Sequence, residues 1–509
     1  MKQIVIAYVQ YQLYFHPLSK YPGPKLWAIT KILYNWHTLR GTAAARFCEL
    51  HSKYGDVVRF APNSLSYTAP EAWGEVQGPY VEGKKHMEMD MAIFGGKFTM
   101  TGALQMQVNT TSVGEDHRRL RARLMRPLSA KAVASQERIL AQYASDFITG
   151  LLKELNHEPG TADMAKWFSM ATFDVTSDLT FGKPFGCLQT GEEHRWIAAV
   201  FGAFKALPIL RVIREAPGVT ILGHFALHML PQSVKQKWYD HFDYAFNLVE
   251  ERLKDPQKRK DFVYYLTDTT ENQLSRDEIK EGAAQIVMAG SEPVAMLLTG
   301  IVFYLSRDPE MCQRLTSEIR SSFAKREDMT LARLSELLYL NAVIREGLRI
   351  LPPAADIFPR IIPPDGEYIM GDFLPAGVRY EISDADMAAN SFMLEQTHVG
   401  IPTLAASHST RNFNQPGRFI PERWMDGQGW TDPGMKASQP FGQGHRSCIG
   451  KNLAYAELRL FLAYFLWEFD LMPVPRDEEW TQRCRVWVGW EKVPLPCPLS
   501  PRQAETSPS

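Results

Sequence analysis

Phe441-Gly-Gln-Gly-His-Arg-Ser-Cys448-Ile-Gly450 sets one cysteine among glycines and cations, immediately before a stretch of helical periodicity. A thiol in apolar surroundings stays protonated, whereas neighbouring cations, a helix N-terminus or a bound metal lower its pKa and give the thiolate, the form that ligates metal. All three influences converge on Cys448, which reads as an iron ligand. Gly444 and Gly450 allow a sharp turn and a close approach of backbone to a flat ligand, and Arg446 offers a charge to an anionic group. Leu453 to Leu462 then continues as an amphipathic helix. Two blander readings compete. One is a glycine-rich turn around an inert buried cysteine. The other is the opening of a dinucleotide fold at Gly442-Gln-Gly444, which lacks a third glycine and a preceding strand.

The 509 residues, 45% of them apolar, carry a formal charge of −1. That is enough chain for one large domain or two ordinary ones, and the neutral balance makes no case for nucleic acid. Cys48, Cys187, Cys312, Cys448, Cys484 and Cys497 form no C-x-x-C pair and no His/Cys cluster, so a zinc site or disulfide framework is not expected and a reducing compartment fits. The sequon at Asn109 reads as chance.

Val57–Phe60 and Leu65–Tyr67 read as a hairpin, and Pro70 opens a helix. From Glu115 to Leu351 the helical period dominates without a linker, which predicts one catalytic domain. Short strands are expected near Pro359–Phe373 and Val486–Val493, and residues 501–509 as a disordered tail. Ser275-Arg-Asp-Glu278 is a capping box, and its helix can run to Arg307, where Asp308-Pro309 stops it, a length of roughly 45 Å. The interior is apolar enough for a membrane span but carries Glu292 and Pro293 at its middle and no flanking anchors.

The order F-x-x-G-x-R-x-C-x-G resembles the haem-binding loop of cytochromes P450, with every signature position filled. Ala289-Gly-Ser-Glu292-Pro293-Val resembles the family's oxygen-binding motif A-G-x-(D/E)-T-(T/S), with Pro293 where the alcohol belongs. Glu346-Gly-Leu-Arg349 and Pro421-Glu-Arg423-Trp resemble the E-x-x-R and P-E-R-F elements that support the cysteine loop. His117 and Arg121 fall at the family's W-x-x-x-R pair, with His for Trp, and Arg360 at its third propionate partner. The resemblance runs from Tyr21 to about Val493. It implies a mainly α fold with small β-sheets, occupying residues 21–500, whose long central helix crosses a haem b held by Cys448. Arg446, His117, Arg121 and Arg360 would serve the propionates, while Phe441, Gly444, Gly450, Ala289 and Gly290 would border the macrocycle. Glu346, Arg349 and Arg423 would form a structural network.

The resemblance also implies oxidation of a lipophilic small molecule, as in fungal secondary metabolism. No nucleotide-binding fingerprint is present, so electrons would come from NADPH through a separate P450 reductase, with cytochrome b5 as a further partner. Ile4–Phe15 is apolar but shorter than the roughly 20 residues that span a bilayer as a helix. With the proline-rich hinge up to Pro24 it resembles a curtailed microsomal anchor, residues 1–20, at the cytosolic face of the endoplasmic reticulum membrane or lying on the membrane surface.

Two departures from the family pattern matter. Pro293 leaves the Ala289 carbonyl without its amide partner, as the family's threonine opens a groove, but it holds no proton relay. Either a substrate hydroxyl or ordered water stands in, with Glu292 the candidate proton donor, or the reaction needs no O–O scission. Isomerase, dehydratase and radical-coupling readings therefore stand beside the monooxygenase, as does a noncatalytic haem or ligand-binding protein. The second departure is Val378–Gln396, which interrupts the passage from Pro375-Ala-Gly377 to Thr397 and reads as a retained short intron or, as protein, a surface excursion. Pocket walls are expected from residues 92–112, 195–235, Val287–Leu297 and Ala354–Phe358, whose Met, Phe, Leu and Ile content indicates an apolar substrate.

Overall fold

The computed structural model describes residues 2–79, 86–90, 114–157, 160–215, 232–254, 259–267, 274–377, 396–473 and 480–502. The expected walls at 92–112, the sequon at Asn109 and nearly all of the 378–396 segment lie outside these residues, and the 195–235 wall lies only partly within them.

The central helix spans Arg276–Arg307. Ser275 starts it with a complete capping box, its hydroxyl accepting from the Glu278 amide while Glu278 accepts from the Ser275 amide. The helix is long and apolar enough to cross a membrane, yet 78% of its most apolar window is buried in protein, which marks it as a core helix. The helix Met164–Phe181, buried along nearly its whole length, lies against it. Gly290 makes that crossing close, because a Cβ there would stand 3.2 Å from the Thr176 Cγ2. Gly290 therefore lets the two helices approach closely. Glu137–His157, Leu338–Ile350 and Lys451–Glu468 complete the main apolar core, which runs continuously through these helices.

Among the described residues, ten short strands flank the helices. The first sheet takes β1 (Val57–Ala61), β2 (Ser64–Tyr67), β3 (Glu88–Met89), β5 (Arg360–Ile361) and β8 (His398–Gly400), in the order β1-β2-β8-β5-β3. β1 and β2 form the expected antiparallel hairpin, and β8 joins β2 in parallel. β6 (Glu367–Ile369) and β7 (Asp372–Leu374) make a separate hairpin. In the third sheet β10 (Pro496–Pro501) lies between β4 (Thr161–Asp163) and β9 (Phe469–Leu471). β10 corrects the disordered tail at its start, since Pro501 pairs with Phe469 and the Arg502 amide donates to Glu468 at 2.7 Å. Its three prolines argue against a central strand. The strand forms because the Pro498 carbonyl accepts from Met472 and the intervening Leu499 donates to Gly160.

Gly377 and Gln396 form an antiparallel bridge, and the Thr397 amide donates to Ala376 at 3.0 Å. The chain thus leaves and returns at one place, as an excursion would. At the amino end, Lys2–Gln10 is helical with no buried residue, and Ile4, Val5, Ile6, Tyr8, Tyr14 and Phe15 are all exposed. Buried Arg59 fixes this segment to β1 by donating to the Gln12 carbonyl and side chain at 2.7 and 2.8 Å.

Candidate active site

The cysteine loop is closed by its own backbone. The Cys448 amide donates to the Phe441 carbonyl at 2.8 Å, and a single 3₁₀ turn, Gly444–Arg446, lies inside the closure. Phe441 packs on Tyr455, and Lys451 lies over its ring. Gly444 has φ +68°, and a Cβ there would overlap the carbonyl oxygens of Gln77 and Gly78. Its close approach is to the backbone of residues 77 and 78. Gly450 has φ −84° as the N-cap of Lys451–Glu468, and a Cβ there would rest at 3.8 Å from the Cys448 Sγ, an ordinary contact.

Cys448 is exposed to open space, at the edge of a cavity of about 640 Å³ that Arg345, Trp424, Phe441, Lys451 and Tyr455 also line. Surrounding protein nevertheless pushes its thiol up, opposed by the Gly450 and Lys451 amides and the charges of Arg121 and Lys451. Those amides and cations are the groups that favour a thiolate once a metal takes the proton's place.

Arg121, Arg360, Arg446 and His117 are brought together as expected, with different individual partners. Arg121 donates to the Ser447 carbonyl at 2.8 Å and hydroxyl at 3.1 Å, so it also braces the cysteine loop. Arg360, 3% exposed, donates to the Phe358 carbonyl at 3.0 Å. Two imidazoles that sequence reasoning passed over complete the cluster. His445 lies 4.6 Å from His86 and 5.9 Å from His117, ring centre to ring centre. Burial and then mutual repulsion pull Arg360 and Arg446 down to about 10, and His117 and His445 to about 4. The His445 Nδ1 is buried with no hydrogen-bond partner among the described residues. A cationic nest with an open nitrogen suits a dianionic group, and beside a cysteine loop it fits the two carboxylates of a haem. His445 lies within the cysteine motif, but its meeting with His86 and His117 depends on tertiary contacts that no local pattern encodes.

The buried network is present in full. Glu346, Arg349 and Arg423 each have fully buried side chains. The Glu346 carboxylate accepts from Arg349 at 2.7 and 2.9 Å, Arg423 at 3.1 Å, the Ile420 amide at 2.9 Å and the Trp424 indole at 2.9 Å. Arg349 also donates to the carbonyls of Ser407, Pro416 and Arg418, while Arg423 reaches Asp432 and the Asn414 carbonyl. Trp424 and Asp432 were not foreseen, and Trp424 carries the network to the cavity beside Cys448.

On the central helix, Ala289 is exposed and Pro293 half-buried, four residues apart on one face, with Met288 and Gly290 also half-buried and Ser291 and Glu292 buried. Glu292 is 3% exposed and turned another way, into a small pocket with Ala295, Met296 and Thr299. Burial alone raises its carboxyl to about 8. In the Ala354–Phe358 wall, Asp356 is buried, and burial holds it up at about 6 against the pull of Arg211. That wall is therefore not purely apolar.

A helical domain with a cysteine loop above a nest of cations and a buried Glu-Arg-Arg network is the architecture of a haem-thiolate protein. The family model described as Cytochrome P450 matches residues 22–495, and the chain belongs to that family. It is 35% identical over 496 residues to cytochrome P450 monooxygenase astJ of Aspergillus oryzae, covering 97% of this chain and 94% of that protein. It is 34% identical over 504 residues to averantin hydroxylase of Dothistroma septosporum, covering 98% and 90%. Cytochrome P450 monooxygenase aclL of Aspergillus oryzae is 34% identical over 499 residues, covering 98% and 96%. The chain is accordingly an oxidoreductase of the P450 monooxygenase type, with haem iron as its cofactor.

Proposed function

We propose that the chain oxidises a lipophilic small molecule in fungal secondary metabolism, with O2 as oxidant and electrons from NADPH through a membrane-bound P450 reductase. The observation that carries this reading is the Cys448 loop set beside the Arg121, Arg360, Arg446, His117 and His445 nest. Cys448 would ligate the iron, and the nest would bind the propionates. When bound, thiolate-ligated haem supplies oxygen activation strong enough to functionalise unactivated carbon. The protein's part is to hold Cys448 on a braced loop, present the Ala289–Pro293 face of the central helix to the substrate side, and store a proton on Glu292 at the carboxyl Oε. The relatives' names as monooxygenases and a hydroxylase support the same reaction class.

Membrane association is supported by the exposed apolar residues from Ile4 to Phe15, joined by Leu26, Ile32 and Trp36. In this reading the protein sits at the cytosolic face of the endoplasmic reticulum membrane. Residues 21–500 act as one haem domain, with 378–396 an addition to it.

Pro293, in place of the relay alcohol, favours one second reading, a haem-thiolate isomerase, dehydratase or radical coupler. Incubation of the haem-loaded protein with candidate lipophilic substrates, NADPH and reductase decides between them. Product formation with NADPH consumption supports the monooxygenase, and conversion without reductant overturns it.

A further inference from the structure

Asp356 lies in a short segment that its neighbours pin on both sides. The Ala355 carbonyl accepts from the Leu404 amide at 3.0 Å, Ile357 bridges Pro402, and the same antiparallel register continues to Arg360 opposite Val399. Along extended backbone of this kind Asp356 stands roughly 13 Å before Arg360, the buried cation of the nest. Asp356 is 8% exposed, yet among the described residues its carboxylate accepts one hydrogen bond, from the Ile357 amide to Oδ1 at 2.8 Å. Oδ2 keeps its acceptor capacity. Arg211 comes to this segment from a different element, the helix Arg195–Glu215, whose Phe201 borders the pocket of Glu292. It is 6% exposed, with its guanidinium 5.1 Å from the Tyr34 ring centre. Arg211 attracts the Asp356 charge across a gap that no direct hydrogen bond closes, while burial holds the acid up at about 6.

We propose that Asp356, opposed by Arg211, is a specificity-determining residue that binds an alcohol or phenol hydroxyl of the lipophilic substrate. A hydroxyl is the one simple group that serves both sides with a single oxygen, donating to Asp356 Oδ2 and accepting from Arg211. An ether or a ketone can only accept and leaves Oδ2 without a donor. An ammonium is repelled by Arg211 and a carboxylate by Asp356, so the pair selects a neutral group. A hydrogen bond to a charged acceptor in an enclosed site is stronger than one between neutral groups. A site built around such a bond rejects the analogue that lacks the donor, because its own buried oxygen is then left unpaired. The proposal rests on the oxidation of a lipophilic small molecule put forward above, and it narrows that class to hydroxyl-bearing molecules.

The test needs neither turnover nor the native substrate. Imidazoles carrying an ω-hydroxyalkyl chain, and the methyl ethers of the same chains, anchor on the haem iron of the full-length, haem-loaded protein. Each Kd is read from the Soret shift of nitrogen ligation, and stepwise longer chains carry the terminal oxygen out to Asp356. At one chain length the alcohol is expected to bind at least about tenfold more tightly than its ether, the size of a hydrogen bond to a charged group. Asp356→Leu is expected to abolish that advantage. Asp356→Asn, which keeps the shape but offers an uncharged acceptor, should cut it to about threefold, and it decides alone if Asp356→Leu fails to fold. Equal affinities of alcohol and ether at every length would mean that the gap holds water only, and would overturn the proposal. So would an advantage unchanged in Asp356→Leu, or in Asp356→Asn where that variant decides. A terminal ammonium that binds more tightly than the hydroxyl overturns the choice of a neutral group. The underlying reading fails separately: conversion without reductant overturns the monooxygenase and leaves the alcohol preference standing, whereas a haem that takes none of the imidazoles removes both.

Discussion

Replacing Glu346 with Ala would remove five hydrogen bonds from one fully buried carboxylate and leave two guanidinium groups in the core without their shared counter-charge. Arg349 would keep three backbone carbonyls and Arg423 would keep Asp432, so the site would be underpaired rather than empty. Breaking a buried pair of this kind costs about 3–5 kcal/mol, about a fifth or more of the roughly 5–15 kcal/mol by which a protein is stable. Thermal melting reads that loss poorly. At about 2.1 cal/mol/K per residue, 509 residues give an unfolding entropy near 1 kcal/mol/K, so the midpoint moves by only about 3–5 °C. Haem retention is the sharper assay, because Trp424 lies between the network and the cavity beside Cys448. Glu346→Ala is expected to be expressed with most of its haem missing and Glu346→Gln with part of it. Glu115→Ala, which breaks the exposed Arg118 pair, is expected to match wild type within about 1 kcal/mol. Full haem occupancy and an unshifted midpoint in Glu346→Ala would refute the reasoning.

Two glycines of one motif should behave oppositely. Gly444→Ala is expected to lose haem, since its φ of +68° and the Gln77 and Gly78 carbonyls leave no room for a Cβ, whereas Gly450→Ala should retain it; equal spectra for the two variants would contradict this. Deletion of 378–396 joins Gly377 to Thr397, whose amide already donates to the Ala376 carbonyl at 3.0 Å, and should leave haem content and melting intact; a misfolded product would show that the segment is required. Glu292 sets a pH dependence. Its native carboxyl keeps a proton up to about 8, whereas an unfolded one releases it near 4.5, so wild-type stability falls as pH rises across that window. Glu292→Gln removes that fall, and its stability relative to wild type should rise by about 3–5 kcal/mol between pH 4.5 and 8.5. Parallel melting-versus-pH curves would count against a buried, protonated Glu292.

The central helix was legible to its ends because its capping box, apolar interior and Asp308-Pro309 stop all point the same way. The hairpin at Val57–Tyr67 was equally plain, because Pro62-Asn63 is a turn signal between two short runs rich in strand-forming residues. β10 was hidden by its prolines, whose carbonyls and neighbours carry the pairing. The site was readable where chemistry follows from a contiguous motif, as at Cys448 and Glu346. It was not readable where residues far apart in the chain converge. His86, His117 and His445 make one cluster from three separate segments, and Asp432 and Trp424 join the network only through the fold. Gly444 was singled out with Gly450 as a close-approach glycine, but motif position could not say that its approach includes the backbone of residues 77 and 78, nor that Gly290 meets Thr176 of a neighbouring helix.

The central claim is that Cys448 presents a thiolate to haem iron. The reduced carbon-monoxide difference spectrum of the full chain tests it most directly. The expected result is a strongly red-shifted Soret band that disappears in Cys448→Ser. Haem-loaded protein whose reduced carbon-monoxide complex lacks that shift, or a shift that survives Cys448→Ser, would contradict it.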